Sequence, residues 1–298
     1  MFYKKNVLVT GGAGFIGTNV IKRLIDTGAH IRTTLHKNEP VLKDNRIEYI
    51  KCDLEKAEDC NHICQDMDYV ILCAAVTSGA AVMENTPLVH LTPNIIMNIL
   101  MLEAAYNAGV KKVLFISSNT VYPVTDLPAK ENDVTYDFFE KYYIVGWMKR
   151  FSEIVCEMYS TKIKRPMDTI IIRPANIYGP YDDFDWETSH VIPALIRKVV
   201  ERHDPIEMWG DGSDIKDFIY IDDLVEGLLL ALQKIEGFNV VNIASGMQYC
   251  LRDLLNILIE LDGYENATVK YDTTKPTMIP KRLIDTSKAK ELLGYKST

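Results

Sequence analysis

Short apolar runs and longer amphipathic runs alternate along the first 173 residues. Runs such as Val7-Leu8-Val9 are continuous rather than alternating, the pattern of a strand buried on both faces. The pattern predicts strands over 6–10, 30–35, 47–51, 69–73, 111–117 and 168–173, with helices over 15–27, 87–108 and 140–160 between them. Such alternation argues for a parallel sheet covered on both sides. Ile95, Ile99, Leu102 and Tyr106 share one face of the helix near 94–108, and Gly109 stops it. Residues 123–139, rich in Pro, Asp and Glu, read as a loop over the carboxyl edge of the sheet, where open α/β sheets bind ligands.

After Arg173 the texture changes. An acidic-aromatic loop, Tyr181 to Trp186, precedes a helix at 191–201, followed by a strand at 218–221, a helix at 223–233, a strand at 239–243 and a helix at 251–261. The expected fold is therefore α/β, a Rossmann-type doubly wound parallel sheet with a smaller α/β C-terminal substrate lobe. The sheet domain takes 1–173 with returns near 218–247, and the lobe takes 174–217 and 248–298.

Composition narrows the class. The 298 residues are 47% hydrophobic and 25% charged, as in an ordinary soluble globular protein, and the net charge of −8 argues against a nucleic-acid surface. No stretch approaches the roughly 18 uninterrupted apolar residues of a membrane span, and the first strand begins almost at once, without a signal-peptide pattern. A cytoplasmic protein is expected. Cysteines 52, 60, 64, 73, 156 and 250 form no CxxC pair, so they read as reduced packing thiols, and no metal site is expected.

The strongest chemical signal follows the first strand. Gly11, Gly14 and Gly17 stand at a GxxGxxG spacing, and Phe15 and Ile16 open the helix behind them. Glycines in such a turn let a pyrophosphate approach the backbone, and the helix N-terminus offers free N–H groups and partial positive charge. Asp53, ending the strand IEYIKCD, could accept a hydrogen bond from adenine. After the second strand the row IRTTLHKN carries Arg32, His36 and Lys37 and no acid, so a 2′-phosphate could be held there; NAD and NADP both stay open at this point, with NAD preferred for an enzyme that oxidises first.

With these residues placed, the chain resembles the extended short-chain dehydrogenase/reductase family of nucleotide-sugar enzymes over nearly its whole length. TGGAGFIG, CDL at 52–54, CAA at 73–75, Asn94, LFISSNTVY at 114–122, RPANIYGP at 173–180, GDGSDIKDFIYIDD at 210–223 and DTSKAKELLGY at 285–295 fall in the family's order. The resemblance adds Leu54, Ala74, Ala75, Asn94, Lys149 and Pro174 to the cofactor residues. YGPYDDFDWETSHVIPALIRK at 178–198 and KPTMIPKRLID at 275–285 are similar to the GDP-sugar members, the GDP-fucose synthases among them. They imply a GDP-sugar substrate touching Asn176, His190, Val191, Trp209, Lys216 and Arg282, the cations meeting the diphosphate. In this family the helices near 94–108 and 140–160 pair across a dimer. Ile154, Val155 and Met158 give the second some apolar surface, so a homodimer or homotetramer is expected.

One departure matters. Such enzymes carry Tyr-x-x-x-Lys on a helix, the Lys holding the nicotinamide ribose and the Tyr carrying the sugar hydroxyl proton. Here VGWMKRFSE at 145–153 matches, with Lys149 as the Lys and Glu153 as the later acid, but Val145 holds the Tyr position. A valine exchanges no proton, and a lost general acid–base typically costs about 10²–10⁴-fold in rate. Ser118 matches the family's catalytic hydroxyl. Tyr142, three residues before Val145, and His190, which matches the active-site His of the GDP-sugar members, are the candidate substitutes. Asn119 and Thr120 stand where dehydratases carry Asp-Glu, and Thr120 where the GDP-fucose synthases carry Cys, so dehydration and two-base epimerisation lack their groups. Hydride transfer at sugar C4 remains: a GDP-sugar 4-dehydrogenase, with a GDP-manno-heptose as one candidate substrate and capsule polysaccharide supply as the setting. The alternatives are an NAD-dependent 4-epimerase and a non-catalytic nucleotide-sugar or NAD(P) sensor.

Overall fold

The computed structural model describes residues 2–77, 88–275 and 277–298. Pro87, the first residue of one expected helix, lies outside them. Strands β1 (Asn6–Thr10), β2 (His30–Leu35), β3 (Ile47–Lys51), β4 (Tyr69–Leu72), β5 (Lys112–Ile116) and β6 (Asp168–Pro174) form where the apolar runs predict them. With β11 (Phe238–Ile243) they make a parallel sheet in the order β11-β6-β5-β4-β1-β2-β3, seven strands among the described residues. The chain winds outward from β1 in one direction and from β4 in the other, which opens a crevice at the carboxyl ends of those two strands.

Alternate strand residues feed two cores. Val7, Val9, Ile71, Leu114, Ile170 and Ile172 face helices α1 (Phe15–Ile25), α6 (Ile221–Lys234) and α8 (Ser287–Leu293). Leu8, Val70, Leu72, Val113, Phe115 and Ile171 face α2 (Ala57–Ile63), α3 (Leu88–Asn107) and α4 (Tyr143–Thr161). Helix α2, seven residues long, is absent from the sequence prediction because it is too short to show a period. Helix α3 is long and apolar enough to cross a membrane by length and composition. Its buried Asn98 donates to Ser152 of α4 at 3.1 Å, however, and Met101, Leu102 and Ala105 lie in the sheet core, as in a core helix. Cys60, Cys64 and Cys156 are buried packing thiols, and all six cysteines are free.

The second lobe gathers Ile192, Leu195 and Val199 of α5 (Val191–Val200) against β8 (Ile206–Trp209) and α7 (Leu251–Asp262). Its strands are short: β7 (Asn176–Tyr178) pairs with β10 (Phe218–Tyr220), β8 with β13 (Val269–Asp272), and β9 (Ile215–Lys216) with both β12 (Tyr249–Cys250) and β14 (Lys281–Arg282). The closing helix α8 does not belong to this lobe. It returns to the large sheet, where Ala289 and Leu293 join the first core and Ser297 and Thr298 donate to Asp223 at the start of α6.

Candidate active site

The glycine turn is built by its neighbours. Gly11 has φ +74, and a Cβ there would lie 2.9 Å from Ala74 Cα, so only glycine lets β1 and the end of β4 meet. A Cβ at Gly17 would lie 2.2 Å from Gly11 O, which makes Gly17 the residue that lets α1 close onto the turn. Gly14 is exposed and would meet nothing nearer than Gly11 O at 3.3 Å; the side of the turn it presents is open. Gly11 N–H donates to Thr34 Oγ1 at 2.9 Å, and Thr10 Oγ1 accepts from both Cys73 N and Ala74 N at 3.1 and 3.0 Å. Phe15, Ile16 and Gly17 occupy the first turn of α1, whose N–H groups have no partner four residues back. An open, anion-ready turn of this kind fits a dinucleotide pyrophosphate.

Asp53 follows β3 with its carboxylate partly exposed, accepting from Glu55 N at 3.1 Å and paired with Lys56 at 3.4 Å. That backbone hydrogen bond holds it below the usual carboxylate range, ionised and able to accept from an adenine. His36 and Lys37 are exposed beside the same edge. Arg32 is not available there: it bonds Glu48 at 2.7 Å and the carbonyls of Ile63 and Gln65, facing the opposite end of the sheet.

Five further expected residues lie as follows. Asn94 is buried, accepting from Val76 N and donating to Val76 O and His90 O, so it shapes the β4 exit. Leu54 is buried, its carbonyl taking the Cys60 thiol, while Ala75 is exposed beyond β4. Pro174 is buried, its carbonyl accepting from Asn119 Nδ2 at 3.0 Å. Val155 points into the sheet core rather than onto an outer face; Tyr143, Phe151 and Met158 are the exposed large hydrophobic residues of α4.

Two of the catalytic candidates, Ser118 and Lys149, lie at the end of β5. Ser118 Oγ accepts from Thr120 N at 3.1 Å, which sets its rotamer. Lys149 Nζ donates to Ile116 O at 2.9 Å and lies over the Phe115 ring at 5.1 Å. Burial pulls its amine down to about 8. Val145 stands one turn before it, half-buried, as the helical spacing requires. Tyr142 is not on that face: it ends a separate 3₁₀ turn, Glu140–Tyr142, and is reached by the charges of Arg282 and Asp214 on the second lobe. Burial pushes its phenol up to about 12. Cys73, beside Lys149, is pushed up to about 12 by burial and is no nucleophile.

On the lobe side, His190 is exposed at the start of α5, and Val191 follows it in the first turn. Asn176 Nδ2 donates to Asp217 O at 2.9 Å. Lys216 pairs with Asp214 at 3.1 Å and also donates to Ile279 O. Arg282 is buried, its guanidinium donating to Pro123 O at 2.8 Å and Tyr122 O at 3.1 Å, which ties the lobe to the 122–123 loop, while its Nε has no partner among the described residues. Trp209 is 40% exposed, with Lys275 over its ring at 5.7 Å. Sequence reasoning missed Asp217, whose buried carboxyl accepts from Ser245 N, Ser245 Oγ and Gly246 N and is nonetheless pushed up to about 6 by desolvation. It also missed the pairing of Arg173 with Glu153, which are 20 residues apart and carry no local pattern.

The profile of the NAD dependent epimerase/dehydratase family matches residues 7–244. The chain belongs to that family. Its members are NAD(P)-dependent nucleotide-sugar enzymes of the extended short-chain dehydrogenase/reductase group, as the motifs imply, and NAD is the cofactor. Among curated relatives, the chain is 30% identical to GDP-L-fucose synthase 1 of Arabidopsis thaliana over 96% of its own length and 86% of the relative's. It is 28% identical to a probable GDP-L-fucose synthase 1 of Oryza sativa subsp. japonica, over 97% and 86%. Among solved structures it is similar to UDP-glucose 4-epimerase of Thermotoga maritima with UDP-glucose, at TM-score 0.88 and 28% identity over 98% of this chain and 94% of that one. When bound, NAD accepts or returns a hydride. The residues that would hold it are the Gly11–Gly17 turn, Asp53 and Lys149, while Ser118 would orient the reacting hydroxyl.

Proposed function

We propose that this protein is a GDP-sugar oxidoreductase that acts at C4 of the sugar, a 4-dehydrogenase. The observation that carries the reading is the end of β5. Ser118 and Lys149 stand there with ordinary geometry, while Val145, Asn119 and Thr120 leave neither a phenol nor a carbon-acid base. Lys149 would hold the ribose, Ser118 would hold the C4 oxygen, and water in the cleft would carry the hydroxyl proton past Val145. The GDP moiety is supported by the likeness to GDP-L-fucose synthases over nearly the whole chain. A GDP-manno-heptose is the substrate to test first, which would place the reaction in the sugar supply of a capsule polysaccharide. The six free thiols suit the cytoplasm, and Phe151 and Met158 on α4 suit a homodimer or homotetramer built on α3 and α4.

The test is incubation of the purified protein with NAD and a panel of GDP-hexoses and GDP-heptoses, followed by mass spectrometry of the sugar nucleotide and absorbance of reduced nicotinamide. A 4-keto product with matching nicotinamide reduction is expected. A second reading, C4 epimerisation with retained NAD, is favoured by the likeness to 4-epimerases; it predicts an epimer by NMR with no net reduction. Neither product from any sugar would sink both.

A further inference from the structure

Glu153 lies one turn beyond Lys149 on α4 and is wholly buried. Ser117 Oγ donates to its Oε1 at 2.6 Å, Arg173 reaches both oxygens at 2.8 and 2.7 Å, and Arg150 donates to Oε2 at 3.0 Å. A carboxylate has about four acceptor sites, so this one is saturated and cannot turn. Ser117 immediately precedes Ser118. Arg173, at the end of β6, is anchored in turn by Tyr122 Oη at 3.1 Å and Glu131 O at 2.8 Å. Tyr122 donates onward to Asn242 of β11. The carboxyl ends of β5, β6 and β11 and the helix bearing Lys149 are therefore pinned through one carboxylate.

We propose that Glu153 is a positioning residue: clamped by Ser117, Arg173 and Arg150, it fixes Lys149 in register with Ser118 and places a carboxylate one helical turn from the lysine. The inference rests on Lys149 as the ribose-holding lysine and not on which sugar is turned over. Among the described residues, the groups facing Lys149 are few. Ile116 O and the Phe115 ring face it from β5, the Cys73 thiol from the end of β4, and Glu153 from its own helix. Burial drives its amine downward, and Glu153 is the main group that opposes this, with Cys73 second. Two guanidiniums share the same carboxylate, so its support is partial and the lysine is left close to the physiological range. In a chain without the phenol at 145, holding the ribose is the task left to that charge.

The test is NAD binding by calorimetry across pH on the full chain, with no sugar present. Wild-type affinity is expected to fall through a midpoint near 8, where Lys149 loses its proton. Glu153→Gln keeps the shape but removes the charge, and its midpoint should drop by about one pH unit, the lower end of single-charge effects. Glu153→Asp returns the charge and should restore the midpoint. Ser117→Ala keeps the charge and loosens the grip; its affinity should fall about fivefold, the value of one hydrogen bond of about 1 kcal/mol, with the midpoint unmoved. A Glu153→Gln midpoint equal to that of wild type, or Ser117→Ala binding as wild type does, overturns the proposal. If Glu153→Gln does not fold, Ser117→Ala and Glu153→Asp decide it by the same criteria. Wild-type protein that binds no NAD at any pH overturns the site itself, and this inference with it.

Discussion

Restoring the phenol, Val145→Tyr, is the sharpest perturbation the site allows. Val145 and Lys149 are four residues apart on α4, a rise of about 6 Å on one face. The neighbouring backbone cannot retreat, because a Cβ at Gly146 would already lie 2.9 Å from the Phe138 ring and 3.1 Å from Thr120 O. A tyrosine at 145 must therefore direct its ring outward, along the partly open side that Val145 shares with Lys149. A positioned general acid–base contributes about 10²–10⁴-fold, equivalent to about 3–5 kcal/mol of barrier. The expectation is the lower figure, since the cleft was shaped around a valine: kcat about 100-fold higher, with a new ionisation in its pH profile. The assay is kcat and kcat/KM for GDP-sugar oxidation against pH for wild type, Val145→Tyr and Val145→Tyr with Lys149→Met. The double variant should lose the gain, because the phenol depends on the ammonium beside it. Stability is followed in parallel, since an added ring in a half-closed site costs about 1–3 kcal/mol when it fits badly. If Val145→Tyr binds NAD as wild type does and shows the same kcat and pH profile, proton transfer does not pass through this position and the reasoning fails.

Two further outcomes are expected. In Gly17→Ala the new Cβ would lie 2.2 Å from Gly11 O, so the turn must open, with a loss of about 1–3 kcal/mol in unfolding free energy and of NAD affinity; an unchanged Tm would refute the close approach. Asp217 binds its proton up to about 6 in the folded chain, above the ordinary value of 3.8, so folded protein holds more protons than unfolded between those limits. The stabilisation this brings is complete below pH 3.8 and lost as pH rises through about 6. Chemical denaturation of wild type against Asp217→Asn across that window should show wild type losing ground as pH rises; a constant difference would mean the carboxyl titrates normally.

Much of this protein is decided locally. Continuous apolar runs such as Val7-Leu8-Val9, too short for helices, read as strands buried on both faces, and the residues between them are long enough for helices, so the parallel sheet follows from pattern and length. The glycine turn is local in part: Gly14 and Gly17 answer to steric demands within one strand–helix junction, whereas Gly11 also answers to Ala74 at the end of β4. The loss of the phenol at 145 is visible in one line of sequence. Tertiary packing decided the rest. Short strands such as β9 and β14, two residues each, have no period and exist only because the lobe brings them together. Arg282 and Asn94 read as ligand contacts from their motifs, yet in the fold Arg282 donates to the carbonyls of Tyr122 and Pro123 and Asn94 bonds the backbone of Val76. The Glu153–Arg173 pair joins a helix to a strand 20 residues on. Whether a charged or amide side chain serves a ligand or the fold depends on which partners reach it first, and those partners are set by the packing of the whole chain rather than by neighbours in sequence.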